Sequence, residues 1–138
     1  MPSGVDRVER LVLDTSAYSQ LRMGHRAVLE LIAAAAAVVM PTIVLGELEA
    51  GFRRGSRAID DRRLLADFLE EPFVSVFPVD RPVAQRYGES FALLRQAGTP
   101  IPTNDVWIAA TTFACSGTLA TFDQHFGRVA GLPVVFLN

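Results

Sequence analysis

Lysine is absent from this chain: all thirteen basic residues among its 138 are arginine. Mechanisms that need a primary amine therefore lose their reagent, which disfavours a lysine-bearing phosphate loop, a Schiff-base enzyme, a receiver domain and a haloacid-dehalogenase-type phosphatase. Cysteine is nearly absent as well. Cys115 stands alone, so no disulfide can close within the chain and no multi-cysteine metal site can form, which suits a reducing compartment. Long apolar runs are also missing. The most apolar stretch, residues 29–44, is alanine-rich and interrupted by Pro41, too weak and too short for a membrane span. Fifteen acids against thirteen arginines leave a formal charge of only −2, which argues against coating nucleic acid through bulk electrostatics while leaving room for a local basic patch. The opening MPSGVDRVERLVLD puts acids where a signal peptide needs apolar residues, so a cytoplasmic protein is expected.

What remains is a chain that is half apolar, enough for one hydrophobic core and too little for two. One domain over residues 1–138 is expected, without a disordered tail. Leu11 to Leu13 form a short apolar run ending at Asp14-Thr15-Ser16, residues that favour leaving a strand and capping a helix. His25 to Ala37 read as a helix, and Val38 to Met40 as a second strand stopped by Pro41. Val44, Leu48 and Phe52 then recur at helical spacing as one buried stripe ending near Gly55. The same period returns over Ile59 to Glu70, and Pro72 ends it before a strand-like Phe73 to Phe77. A helix from Pro82 to Gln96 stops at Gly98, and Thr103 or Asn104 is placed to cap a helix reaching Ala114. Thr118 to Phe122 and Pro133 to Leu137 read as strands flanking a helical turn over Gln124 to Val129. Short apolar strands alternating with helices predict an α/β fold, a mostly parallel sheet of about four or five strands with helices on both faces.

Ligands of open α/β sheets bind beyond the carboxyl ends of the strands. Asp14 and Asp123 each follow a predicted strand directly. Asp105 falls in the first turn of its helix, where the helix dipole favours a charged carboxylate, and Glu47 lies on the helix after the second strand. Each acid alone reads equally as a cap, a turn former or a solvated side chain. Four carboxylates brought together would raise one another's pKa values unless a cation neutralised them. A hard divalent ion such as magnesium meets that need, singly or as a pair, and such an ion activates water against a phosphodiester.

These acids sit in four strings: LVLDTSAYSQL around Asp14, PTIVLGELEAGF around Glu47, IPTNDVWIAAT around Asp105 and LATFDQHF around Asp123. With them the chain resembles, over nearly its whole length, the PIN-domain ribonucleases and in particular the VapC toxins of bacterial toxin–antitoxin pairs. The resemblance implies a PIN-like three-layer sandwich and an acidic quartet of Asp14, Glu47, Asp105 and Asp123 around Mg2+ or Mn2+. Ser16, Asn104 and Thr121 then fall at positions that support the acids by hydrogen bonding. It further implies an endoribonuclease of single-stranded or looped RNA that leaves a 5′-phosphate and a 3′-hydroxyl. The implied partners are a VapB-like antitoxin that covers the acidic groove and binds operator DNA through its own domain, and a second copy of the chain as homodimer, with the apolar helices before residue 70 as contact surfaces. The rival readings are a PIN-fold RNA-binding or regulatory module without turnover, and a phosphatase or receiver-like domain using Asp14 as nucleophile. Against the last stand the missing lysine and the absence of an aspartate two residues after Asp14.

Other residues carry less. Arg53, Arg54, Arg57, Arg62 and Arg63 crowd near Glu47 and suit an RNA backbone, or else balance Asp60, Asp61 and Asp67 on a solvated face. His125 follows Asp123 closely but reads as structural rather than as a general base, and His25 has less support still. Trp107 and Phe113 read as core or dimer contacts rather than base-stacking platforms. Cys115 reads as a small buried hydrophobe, and Glu49 as a solvated residue pointing away from Glu47.

Overall fold

The computed structural model describes residues 8–138; the reading of the opening residues as unfit for a signal peptide lies in part outside them. Five strands form one all-parallel sheet: β1 (Arg10–Leu13), β2 (Ala37–Pro41), β3 (Val74–Phe77), β4 (Thr118–Thr121) and β5 (Val134–Phe136), in the order β3-β2-β1-β4-β5. Between them run α1 (Thr15–Arg22), α2 (Arg26–Ala34), α3 (Thr42–Arg54), α4 (Ala58–Leu69), α5 (Arg81–Gln96) and α6 (Thr103–Ala114), with a 3₁₀ turn over Gln124–Arg128. This is the expected α/β sandwich. The first two crossovers step from β1 outward to β3, and the next returns across the sheet to β4. Because parallel crossovers are right-handed, that reversal sends the connecting helices to opposite faces.

The central strand explains why the apolar runs are so short yet so pure. Leu11, Val12 and Leu13 are fully buried, as are Val38, Met40 and Leu119 on the neighbouring strands, and a strand covered on both faces has no polar side to show. Each such side chain contributes roughly 1.5–3 kcal/mol by leaving water. Among the described residues no helix is long and apolar enough to cross a membrane.

Most elements fall within a residue or two of where the pattern puts them, and two departures have a local cause. The alanine run does not stay helical to Ala37. Helix α2 stops at Ala34 because Ala36 and Ala37 give their N–H groups to the carbonyls of Val8 and Glu9, so sheet pairing outbids a strong intrinsic helix preference. Nor does Thr103 or Asn104 cap α6. Pro102 holds that position with no side-chain cap, and its carbonyl accepts from Asp105 and Val106, which frees the Asn104 amide for another partner. The stripe on α3 also fades along its length: Val44 and Leu48 are buried, Phe52 only half so.

Two glycines give opposite expectations. A Cβ at Gly117 would lie 2.7 Å from Val12 Cγ2 and 3.0 Å from Cys115 Sγ, so the turn into β4 tolerates no side chain. Gly117→Ala is expected to destabilise the fold by about 1–3 kcal/mol through overpacking. Gly88, exposed on α5 with nothing within 4 Å of such a Cβ, should gain about 0.5–1 kcal/mol as alanine. Urea denaturation of the two variants checks both signs.

Candidate metal centre

Strands β1 and β4 lie side by side where the strand order reverses, and their carboxyl ends carry the first elements of the site. Their register pairs Leu13 with Ala120, which sets Asp14 beside Thr121. Asp14 is only 4% exposed. Its Oδ1 accepts from Ser16 Oγ at 2.7 Å and from the Ala17 N–H at 2.8 Å, while Oδ2 accepts a short bond from Thr121 Oγ1. The same carboxylate thus caps α1 and ties that helix to β4. Ser16 Oγ in turn accepts from the Phe122 N–H, and Thr121 Oγ1 from the Asp123 N–H. Three donors leave Asp14 one of about four acceptor positions.

Glu47 projects from α3 and is held from two sides. Thr15 Oγ1 donates a short bond to Oε1, and the Asn104 amide donates to Oε2 at 3.2 Å. Asp105, one residue further along α6, faces His125: Nε2 of the ring is 2.7 Å from Asp105 Oδ2, and Nδ1 is 3.2 Å from Asp123 Oδ1. Asp105 and His125 are four-fifths shielded, whereas the Asp123 side chain is 52% exposed. One ligand atom from each of these three residues falls within 4.8 Å of the other two.

Burial and mutual repulsion act on the acids in the same direction. Burial pushes the Asp14 carboxyl above its ordinary value, the bonds from Thr121, Ser16 and Ala17 pull it back, and the Asp123 charge adds to the rise. Asp105 is likewise raised, chiefly by burial; its bond to His125 opposes this, and the charges of Glu47 and Asp123 reinforce it. Asp14 and Glu47 stand outside the compact trio, yet each is coupled through charge to one of its acids. Oxygen donors with a single imidazole fit a divalent cation, which would neutralise what burial leaves uncompensated.

The surroundings separate the remaining residues. Arg62 forms two bonds of 2.9 Å to Glu49, and Arg63 pairs with Asp60 at 3.0 Å. Glu49 is therefore an ion-pair partner rather than a free solvated acid. Arg53, Arg54 and Arg57 are exposed and make no salt bridge among the described residues. Trp107 stacks on Tyr87 with ring centroids 3.9 Å apart, the Arg86 guanidinium lies over the Phe113 ring, and Cys115 is buried. His25 meets the Phe122 ring edge-on, with Nε2 3.2 Å from the Asn138 carbonyl oxygen. The bond from Thr15 to Glu47 was not legible beforehand, because Thr15 reads locally as a residue of the helix start. His125 had one visible signal, its place two residues after Asp123.

A model of the PIN domain matches residues 11–132. The chain belongs to the PIN-domain family. The plasmid stability protein StbB of Pseudomonas syringae is a relative, 34% identical over 91% of this chain and 96% of its own length. Ribonuclease VapC4 of Mycobacterium tuberculosis is 27% identical over 67% of this chain and 72% of its own. The fold matches that in the crystal structure of VapBC2 from Rickettsia felis bound to a DNA fragment from its promoter, with a TM-score of 0.82, 24% identity, and coverage of 94% of this chain and 99% of that one.

The raised acids of this PIN domain make stability depend on pH in a defined direction. Unfolded, Asp14 and Asp105 ionise near 3.8; folded, they keep their protons to higher pH. Across that window the folded state binds more protons, so their contribution to unfolding free energy falls as pH rises from 3.8 through the raised values. Thermal melts of the metal-free protein should show a shallower decline for Asp14→Asn than for wild type. Parallel curves would remove the burial argument for Asp14.

Proposed function

We propose that this PIN-domain chain is the toxin of a type II toxin–antitoxin pair and a Mg2+- or Mn2+-dependent endoribonuclease, with Asp14, Glu47, Asp105 and Asp123 as its acidic site. One observation carries the reading: acids from four separate segments lie toward the carboxyl edge of the sheet, with Asp14, Glu47 and Asp105 held by side chains from other segments and Asp123 by His125 of its own turn. The name of the VapC4 relative, a ribonuclease, points the same way.

The roles follow from the contacts. Ser16, Thr121 and the Ala17 N–H lock the Asp14 carboxylate in one orientation, and Thr15 with Asn104 does the same for Glu47. Preorganised carboxylates need no rearrangement when an ion and a phosphodiester arrive. When bound, a divalent ion supplies charge neutralisation and polarises both the phosphoryl group and the attacking water. Arg53 and Arg54, two turns from Glu47 on α3, and Arg57 beyond it, contact the RNA backbone, since guanidinium forks match phosphate oxygens. The substrate is single-stranded or looped RNA, cleaved to a 5′-phosphate and a 3′-hydroxyl.

Two partners complete the reading, a VapB-like antitoxin that covers the acidic groove and a second copy of the chain. Leu29 on α2 and Ile59 and Leu64 on α4 are exposed, Ile59 to 80%, and apolar side chains left in water favour a covering partner. DNA enters only through the antitoxin, and the pair works in the cytoplasm, as suits a lone buried cysteine.

Incubation of the purified chain with RNA and Mg2+ or Mn2+ is expected to give metal-dependent cleavage. Asp14→Asn and Asp105→Asn should each lose roughly two orders of magnitude or more in rate. Equal cleavage by wild type and both variants would defeat the assignment, and RNA binding without any cleavage would favour the non-catalytic module instead.

A further inference from the structure

An acids-only account of the site leaves His125 without a task, yet four-fifths of its ring is shielded from solvent. It sits in the 3₁₀ turn after β4 with a carboxylate against each nitrogen, Asp105 at Nε2 and Asp123 at Nδ1, and the Phe126 ring 5.1 Å away. Neutral imidazole has one N–H and one lone pair. Each ring nitrogen faces a carboxylate oxygen, so a nitrogen that carries no hydrogen is placed to share a cation with the carboxylate in front of it. A ring whose N–H is tied to a carboxylate while its other nitrogen is free to bond is also how metal-ligating histidines are commonly oriented.

We infer that His125 is a nitrogen ligand of the ion held by Asp105 and Asp123, and that it biases this site toward Mn2+ and kindred transition ions over Mg2+. The inference rests on the proposed function only in taking the acids to hold a divalent cation. The one-nitrogen, two-oxygen trio is the compact set, its ligand atoms within 4.8 Å of one another. Asp14 and Glu47 are already engaged by hydroxyls and amides. Magnesium is a hard ion that favours oxygen and gives up water reluctantly, whereas imidazole suits first-row transition metals. A site of oxygen alone would hold the two ions on more equal terms.

The test uses Mn2+ alone, without RNA, added to the full chain and read by electron spin-echo envelope modulation. Wild type should show the nitrogen modulation of a coordinated imidazole. Because the chain has only two histidines, His25→Asn should keep the signal and His125→Asn should lose it. In His125→Asn the affinity for Mn2+ should fall about tenfold to a hundredfold, while that for Mg2+, measured by competition, should change less than about threefold. Saturable Mn2+ binding that Asp105→Asn abolishes, with no nitrogen modulation in wild type, would overturn the role of His125 and leave the nuclease reading standing. No saturable Mn2+ binding by wild type would overturn both. The wild-type spectrum alone decides the first point, so a misfolded variant cannot blur it.

Discussion

The cost of gathering carboxylates at one edge of the sheet, from burial first and mutual repulsion second, is the constraint to which the surrounding structure answers. Asp14 is almost wholly buried, Asp105 is well shielded, and Asp123 and Glu47 act on them through charge. Such a cluster is costly in a fold that gains nothing else from it. The chain blunts the cost with donors: three for Asp14, two for Glu47, and an imidazole wedged between Asp105 and Asp123. The hydroxyl and amide bonds orient the acids without supplying a positive charge. The proposed divalent cation would complete the arrangement.

The sheet topology brings these groups together. Strand order reverses between β1 and β4, so the connecting helices leave the two strands toward opposite faces and a crevice opens at their carboxyl ends. Asp14 follows β1 directly, and Asp123 follows β4 after Phe122. The other two acids arrive on helices, Glu47 on α3 and Asp105 in the first turn of α6. Thr121 links both sources, donating to Asp14 while accepting from the Asp123 N–H. Loss of strand register would therefore disturb two acids at once, which couples the packing of Leu13 and Ala120 to the chemistry of the edge.

Much of this was legible in order along the chain. Buried parallel strands leave pure apolar runs, as at Leu11 to Leu13, and an aspartate after each of two such runs marks the productive edge. The motif strings added the four acids and their resemblance to a family. Contests between local and tertiary preference were not legible. The alanines after Ala34 favour helix by intrinsic propensity, but the carbonyls of Val8 and Glu9 draw them into the sheet. Asn104 looks like a cap until Pro102 takes the cap position, and its amide then reaches Glu47, 57 residues away. Arg62 ignores the nearby aspartates of its own helix for Glu49 on the preceding one.

Sequence alone determined the α/β class, the absence of lysine amines and which acids to propose for the site, because period, composition and motif are properties of residues in order. Tertiary structure decided which groups face each other: Thr15 and Asn104 on Glu47, Thr121 on Asp14, and His125 between Asp105 and Asp123. Apart from His125 and Asp123, those partners lie far apart along the chain, and hydrogen bonds and charge act over a few ångströms of space whatever the distance in sequence.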